Sequence, residues 1–169
     1  MIAVAAVGGI APECQPGMLV IPDQIIDYTV GRQSTYHDEA PEHVVHIDFS
    51  FPYTQSLREA LIKGAGLAGV GVVDHGTYGA TQGPRLETAA EIKRMARDEC
   101  TIVGMTGMPE AALARELELD YACCGVVVNP AAGLTDRPLD MDEISAMVSV
   151  GMDNARAAIV NTLPQLTVG

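Results

Sequence analysis

The sequence predicts an α/β fold on a mixed or mainly parallel sheet, and three observations lead there. Short β-rich apolar runs alternate with segments of helical period along the whole chain. The length of 169 residues suits one domain and leaves little room for two. A hydrophobic share of 48% is enough to fill a core, which argues against wholesale disorder.

The elements follow in order. Residues 2–7 read as a short buried strand ending in a Gly8-Gly9 turn, and Pro16-Gly17 marks another turn before a second strand over residues 18–26. From residue 31 to 48 the chain is polar and carries His37, His43 and His46, which reads as a long loop. Leu57, Leu61 and Ile62 share one side of a helix over residues 57–67. Residues 70–78 are β-rich and lead into a loop at 81–85; residues 87–97 form a helix with Ala90, Ile92 and Met95 near one face. A strand at 101–105 precedes a helix at 108–117, with Pro109 near its start, where its missing N–H is harmless. A buried strand at 121–128 closes on Asn129-Pro130. Asp140 then offers an N-cap with Glu143 three residues on, a capping-box pattern before a last helix through Ile144, Gly151, Ala155 and Leu163.

Composition excludes several functions. Twenty-two acidic against ten basic residues give a net charge of −12, the wrong sign for a nucleic-acid or anionic-membrane surface. No apolar run reaches bilayer length, and the apolar opening residues lack a basic flank, so a soluble chain without a targeting segment is expected. With no Trp and only Phe49 and Phe51, the core is expected to consist of Ala, Val, Ile, Leu and Met. Cys14, Cys100, Cys123 and Cys124 lack zinc-site spacing and read as buried reduced thiols of a cytoplasmic protein; Cys123 and Cys124 should point to opposite faces of a strand. No metal or organic cofactor is expected.

The segment most suggestive of chemistry runs from Thr101 to Leu117. A strand leads into Gly104, Thr106 and Gly107 and then a helix, so a hydroxyl and backbone N–H groups can meet an anion at a helix N-terminus. The same pattern also occurs in turns that merely turn, with Thr106 as an N-cap.

The words Gln82-Gly-Pro-Arg-Leu-Glu-Thr, Gly104-Met-Thr-Gly-Met-Pro-Glu and Val128-Asn-Pro-Ala-Ala-Gly closely resemble the purine nucleoside phosphorylase family, in particular its methylthioadenosine/methylthioinosine branch. The segments 17–28 and His46-Ile-Asp-Phe fit as well, so the resemblance covers essentially the whole chain. It implies a three-layer fold, a mixed sheet flanked by helices. It also implies a reaction in which inorganic phosphate, a substrate rather than a cofactor, displaces a purine from the anomeric carbon of a nucleoside. Carried onto this sequence, the resemblance makes Thr106 the phosphate-binding hydroxyl and Met105 the residue packed on the ribose. Leu86 stands where relatives commonly place an aromatic against the base, and Ala6 and Gly8 supply backbone lining phosphate and base. Asn129 stands where the adenine-using branch has an aspartate. An amide both donates and accepts, so it suits N7 and the 6-oxo group of a hypoxanthine-type base, which makes Asn129 the expected catalytic residue. His46 matches a histidine reaching across a subunit boundary to the 5′ substituent, which implies a homotrimer. His37 and His43 read as solvated, and Arg85 with Glu87 or Glu91 as a structural charge pair.

The sequence departs from the family at its beginning. Relatives start with a strand leading to a Gly-Gly-Thr/Ser-Gly loop, then carry Arg-His-Gly and His…Asn-Tyr segments; none of these is present, and Ala5 stands where relatives have a polar residue. The expectation is a single, incomplete phosphorylase domain over residues 1–169, as a fragment, a misplaced start or a decayed homologue. Such a chain is expected to fall short of normal phosphorolysis on its own, and a non-catalytic nucleoside-binding or oligomerisation subunit is the alternative.

Overall fold

The computed structural model describes residues 1–38 and 44–166, a span that leaves His43 outside the described residues. Seven strands form one sheet: β1 (Ile2–Gly9), β2 (Leu19–Val20), β3 (Gln24–Asp27), β4 (Val72–Val73), β5 (Thr77–Ala80), β6 (Cys100–Gly104) and β7 (Ala122–Pro130). Their order across the sheet is β3-β5-β6-β1-β7-β2-β4. The sheet is mixed: β1 runs parallel to β7 and antiparallel to β6, and β2 runs antiparallel to β7. The helices are α1 (Gln55–Leu67), α2 (Ala89–Arg97), α3 (Gly107–Glu116) and α4 (Met141–Thr162), followed by a 3-10 turn at Leu163–Gln165.

The alternation along β7 divides the core into layers. Cys123 and Val127 pack with Ala5, Val7, Tyr78 and the α3 residues Ala111 and Ala114 on one face. Cys124, Val126 and Val128 pack with Leu57 and Leu61 of α1 and Ala155 and Ala158 of α4 on the other. Cys123 and Cys124 therefore do face opposite ways, as a period of two requires, and all four cysteines are free and buried. Burial of a side chain such as Leu61, fully enclosed here, contributes about 1.5–3 kcal/mol. A third cluster seats Ile92 and Met95 of α2 against Cys100, Val103 and Ile10.

Several expectations need correction. The run at 18–26 is two strands: Pro22 cannot continue a ladder, and the chain crosses from β2, beside β7, to β3, beside β5. Gly8-Gly9 belongs to β1 rather than to a turn, because a Cβ at Gly9 would lie 2.0 Å from the Cys14 carbonyl oxygen. The core is not wholly aliphatic. Tyr53, Tyr78 and Tyr121 are all buried, with Tyr53 and Tyr121 stacked at 5.8 Å between ring centroids, supplying the bulk that scarce Phe and absent Trp cannot. Ala90 is exposed, leaving Ile92 and Met95 as the buried stripe of α2. The complete capping box is the one at Thr88 and Glu91. Asp140 accepts from the Asp142 and Glu143 amides, but the Glu143 carboxylate is engaged by Arg137 instead of reaching back.

Gly9→Ala is expected to lower stability by at least about 1–3 kcal/mol, because the added methyl meets rigid backbone rather than a mobile side chain. Chemical denaturation of the two proteins side by side measures this, and an unchanged midpoint would contradict the close approach at Cys14.

Candidate functional site

The helices on one sheet face leave a gap over its middle. Towards one edge α1 and α4 cover β7 and β2; towards the other α2 covers β6. Between them lies β1, whose Val4 and Ala6 are exposed while the intervening Ala5 and Val7 are buried beneath. A cavity of about 380 Å³ opens there, within the size range of small-ligand sites.

Five separate stretches of chain line it, Leu139, Met141 and Ile144 at the start of α4 being one. Strand β1 contributes Ala6 and Gly8, the loop before α2 contributes Leu86 and Glu87, the β6–α3 turn contributes Met105 and Thr106, and the end of β7 contributes Asn129. Every residue expected to meet the ligand is thus brought together except His46, which is exposed and does not line this cavity. His37 is likewise exposed. Val4, Val103 and Val128 make much of the lining apolar, so the few polar groups among them set its chemistry.

Register places Asn129. Strands β1 and β7 pair residue by residue until Val7↔Val127, then shift so that Gly8 faces Asn129. Such a bulge re-aims side chains at the end of a strand. Asn129 is half-buried, and its Nδ2 donates to the Pro130 carbonyl at 2.6 Å, which leaves Oδ1 and one N–H for a ligand. A Cβ at Gly8 would lie 3.5 Å from that same Nδ2, so the glycine keeps backbone and amide close together.

Thr106 occupies the N-cap position of α3, yet its side chain makes no cap hydrogen bond. The Thr88 hydroxyl, by contrast, accepts from the Glu91 amide in the way a capping residue does. The Thr106 hydroxyl is exposed and contacts only Tyr78, whose phenolic oxygen lies 3.5 Å from Oγ1 and accepts from the Thr106 N–H at 3.4 Å. Tyr78 is completely buried, and burial raises its pKa, so the phenol stays neutral. It supports the turn from beneath: a Cβ at Gly104 would fall 2.2 Å from the Tyr78 oxygen, and one at Gly107 would fall 3.2 Å from its ring. Sequence reasoning passes over Tyr78, since a Tyr in a β-rich run looks like ordinary strand filling.

Glu87 is the other residue that sequence reasoning does not place at the site. Its Oε1 accepts from the Thr81 hydroxyl at 2.6 Å, so a carboxylate is held at the edge of the cavity. Arg85 turns outward to a two-pronged pair with Glu91, at 2.9 and 2.8 Å. Among the described residues no Lys, Arg or His lines this cavity, and no three His, Cys, Asp or Glu side chains converge to hold a metal ion.

Residues 1–164 match the model of the phosphorylase superfamily. The chain belongs to that family. It is 51% identical over 96% of its length to a probable S-methyl-5′-thioinosine phosphorylase of Pseudomonas syringae pv. tomato, covering 66% of that protein. It is 43% identical to a 6-oxopurine nucleoside phosphorylase of Pyrococcus furiosus, covering 97% of this chain and 64% of the other. The chain thus spans just under two thirds of the length of these relatives. Its fold is that of the methylthioadenosine phosphorylase of Schistosoma mansoni solved with adenine, with a TM-score of 0.92 at 23% identity, over 99% of this chain and 66% of that one. The mixed sheet between helices expected of the family is therefore present.

Arg85 and the Thr88 amide together hold the Glu91 carboxyl down to about 2. A depressed carboxyl stabilises the fold above its ordinary value near 4.5 and stops doing so as pH falls toward 2. Glu91→Gln is therefore expected to differ from the wild type in thermal midpoint at pH 6 and to converge on it by pH 2; a pH-independent difference would exclude the ion pair as its cause.

Proposed function

We propose that this chain forms the nucleoside-binding cavity of a purine nucleoside phosphorylase and takes part in phosphorolysis of a 6-oxopurine nucleoside of the 5′-methylthioinosine type, in salvage of such nucleosides. The observation carrying this reading is the convergence of Ala6, Gly8, Leu86, Met105, Thr106 and Asn129, from four chain segments, on one cavity. The names of the relatives from Pseudomonas and Pyrococcus support the 6-oxopurine assignment.

In the reaction an oxygen of phosphate bonds to the anomeric carbon as the bond from that carbon to purine N9 breaks, and the electron pair leaves with the base. The sugar passes through a cation-like state, so positioning and electrostatics supply the rate rather than a covalent protein intermediate. Thr106 donates its free hydroxyl to the phosphate, and Met105 packs on the ribose between. At the far end the Asn129 amide meets N7 and the 6-oxo group, sharing the charge that the leaving base acquires. The second oxygen of Glu87 can accept the N1–H that a 6-oxopurine carries and adenine lacks. Leu86 covers the base by plain apolar contact. The same proposal places His46 at the 5′ substituent of a neighbouring copy in a homotrimer. Four free, buried thiols suit a reducing cytosol.

The absence of a basic side chain from the described lining favours a second reading, in which the chain binds nucleoside without turning it over. Calorimetry with 5′-methylthioinosine, followed by assay of hypoxanthine release with and without phosphate, separates the two. Release that requires phosphate establishes the enzyme, binding without release establishes the binding subunit, and no binding overturns both. Asn129→Asp is expected to shift relative affinity from hypoxanthine toward adenine by about tenfold or more, since a carboxylate accepts from the exocyclic amine and repels the 6-oxo oxygen. An unaltered ratio would remove Asn129 from base recognition.

A further inference from the structure

Arg32 lies in the irregular segment after β3, directly behind the Thr106 turn. One of its terminal nitrogens, Nη1, donates to the Met105 carbonyl at 2.8 Å and also to the Met108 carbonyl. The other, Nη2, donates to the Gln82 carbonyl at 2.9 Å and the Thr81 carbonyl at 3.2 Å. A single planar fork thus joins the turn that carries Met105 and Thr106 to the start of the loop that carries Leu86 and Glu87. Only a guanidinium has donors enough, fixed in one plane, to hold two pairs of carbonyls at once. All four acceptors are neutral, so they orient the charge without cancelling it. Arg32 also shares with Met105 and Thr106 the lining of a second cavity, of about 610 Å³, adjoining the first. In a chain of net charge −12, this brings a permanent cation to the back of the turn that exposes the Thr106 hydroxyl.

We propose that Arg32 is a positioning residue of the site. Through the carbonyls of Thr81, Gln82, Met105 and Met108 it fixes the distance between the two loops that grip the nucleoside, and its charge makes the Thr106 turn the place in this acidic chain that favours an anion. The inference rests on the nucleoside-site reading above and adds the element that reading lacks, a cation acting from outside the cavity. Arg32 touches neither base nor sugar; it acts through Met105, Thr106 and the 81–87 loop.

The test compares Arg32→Lys, which keeps the charge and loses the fork, with Arg32→Gln, which loses both, on the 169-residue chain. Amide hydrogen exchange is followed at Thr81, whose N–H donates to the Gly104 carbonyl, and at Thr106, whose N–H donates to Tyr78. Titrations with 5′-methylthioinosine and, separately, inorganic phosphate report on the site. Both variants are expected to keep the wild-type circular dichroism and cooperative unfolding. Exchange at the two amides should quicken, 5′-methylthioinosine affinity should fall about tenfold in both variants, and phosphate affinity should fall further in Arg32→Gln than in Arg32→Lys. Unchanged exchange in Arg32→Gln overturns the clamp whatever the ligands do. Faster exchange with unchanged affinities makes Arg32 a pin of the fold only and overturns its role at the site, as does loss of folding in both variants. Failure of the wild type to bind either ligand, with exchange altered as expected, instead strikes the nucleoside-site reading and takes this inference with it.

Discussion

The contact between the Tyr78 hydroxyl and the turn above it fixes where the site can be. Tyr78 is sealed in the sheet, so its oxygen is a stationary point, and the chain between Gly104 and Gly107 is laid over it with no room for a Cβ at either end. The turn is consequently held flat against the sheet with the Thr106 amide pointing inward to the phenol and the Thr106 hydroxyl left outside. An N-cap threonine normally spends its hydroxyl on its own helix. Here the first helical residues depart from that geometry, Met108 being extended, and the hydroxyl is not spent. Packing in the core thereby leaves at the surface an exposed hydroxyl that its own helix does not use and whose partner is the Tyr78 phenol, which is the raw material of a binding site.

The cavity beside that turn exists because the helices stand apart. Close seating of α4 requires Gly151, where a Cβ would run into Val126, and α1 meets α4 at Gly64 in the same way. These two helices are drawn tightly over β7 and β2, while α2 is drawn over β6 by Ile92 and Met95. Strand β1 is left between them with small residues on its open face, so a flat ligand could lie directly on the sheet. The exposure of Val4 and Ala6, which would be a liability on a free surface, is what gives such a ligand its apolar floor.

The same constraints decide which parts of the molecule are legible in its sequence. Helix α1 and strand β7 are legible because their periods repeat over enough residues to exclude the alternative. The ligand-facing residues are legible because each sits in a short word whose order of glycine, proline and polar residues serves local backbone needs as well as chemistry. The division of residues 18–26 is hidden, since an apolar run interrupted by a single proline gives no indication that its halves join opposite sides of a sheet. Gly8-Gly9 misleads for the opposite reason: a glycine pair suggests a turn, whereas these glycines serve close approaches to Cys14 and Asn129 that only the tertiary fold creates. Tyr78 and Arg32 are the hardest to read. Their partners are backbone groups of residues 28 or more positions away, and a backbone carbonyl or amide leaves no trace in the identity of the residue that bears it.

The placement of charge also follows from these constraints. An acidic chain opposes a phosphate at long range, but at a few ångströms the local donors outweigh the distant field, because salt screens charges beyond about 8 Å at physiological strength. What matters is therefore the sign of the nearest groups along the cavity. At the Thr106 end these are a hydroxyl and, behind the turn, the Arg32 guanidinium. The Asn129 amide and the Glu87 carboxylate, the latter held by the Thr81 hydroxyl, are the other polar groups, set among apolar side chains. The apolar floor that β1 provides strengthens each of these polar contacts by excluding water. The chemistry of the cavity is therefore carried by a few polar groups whose positions are already dictated by the packing of the sheet.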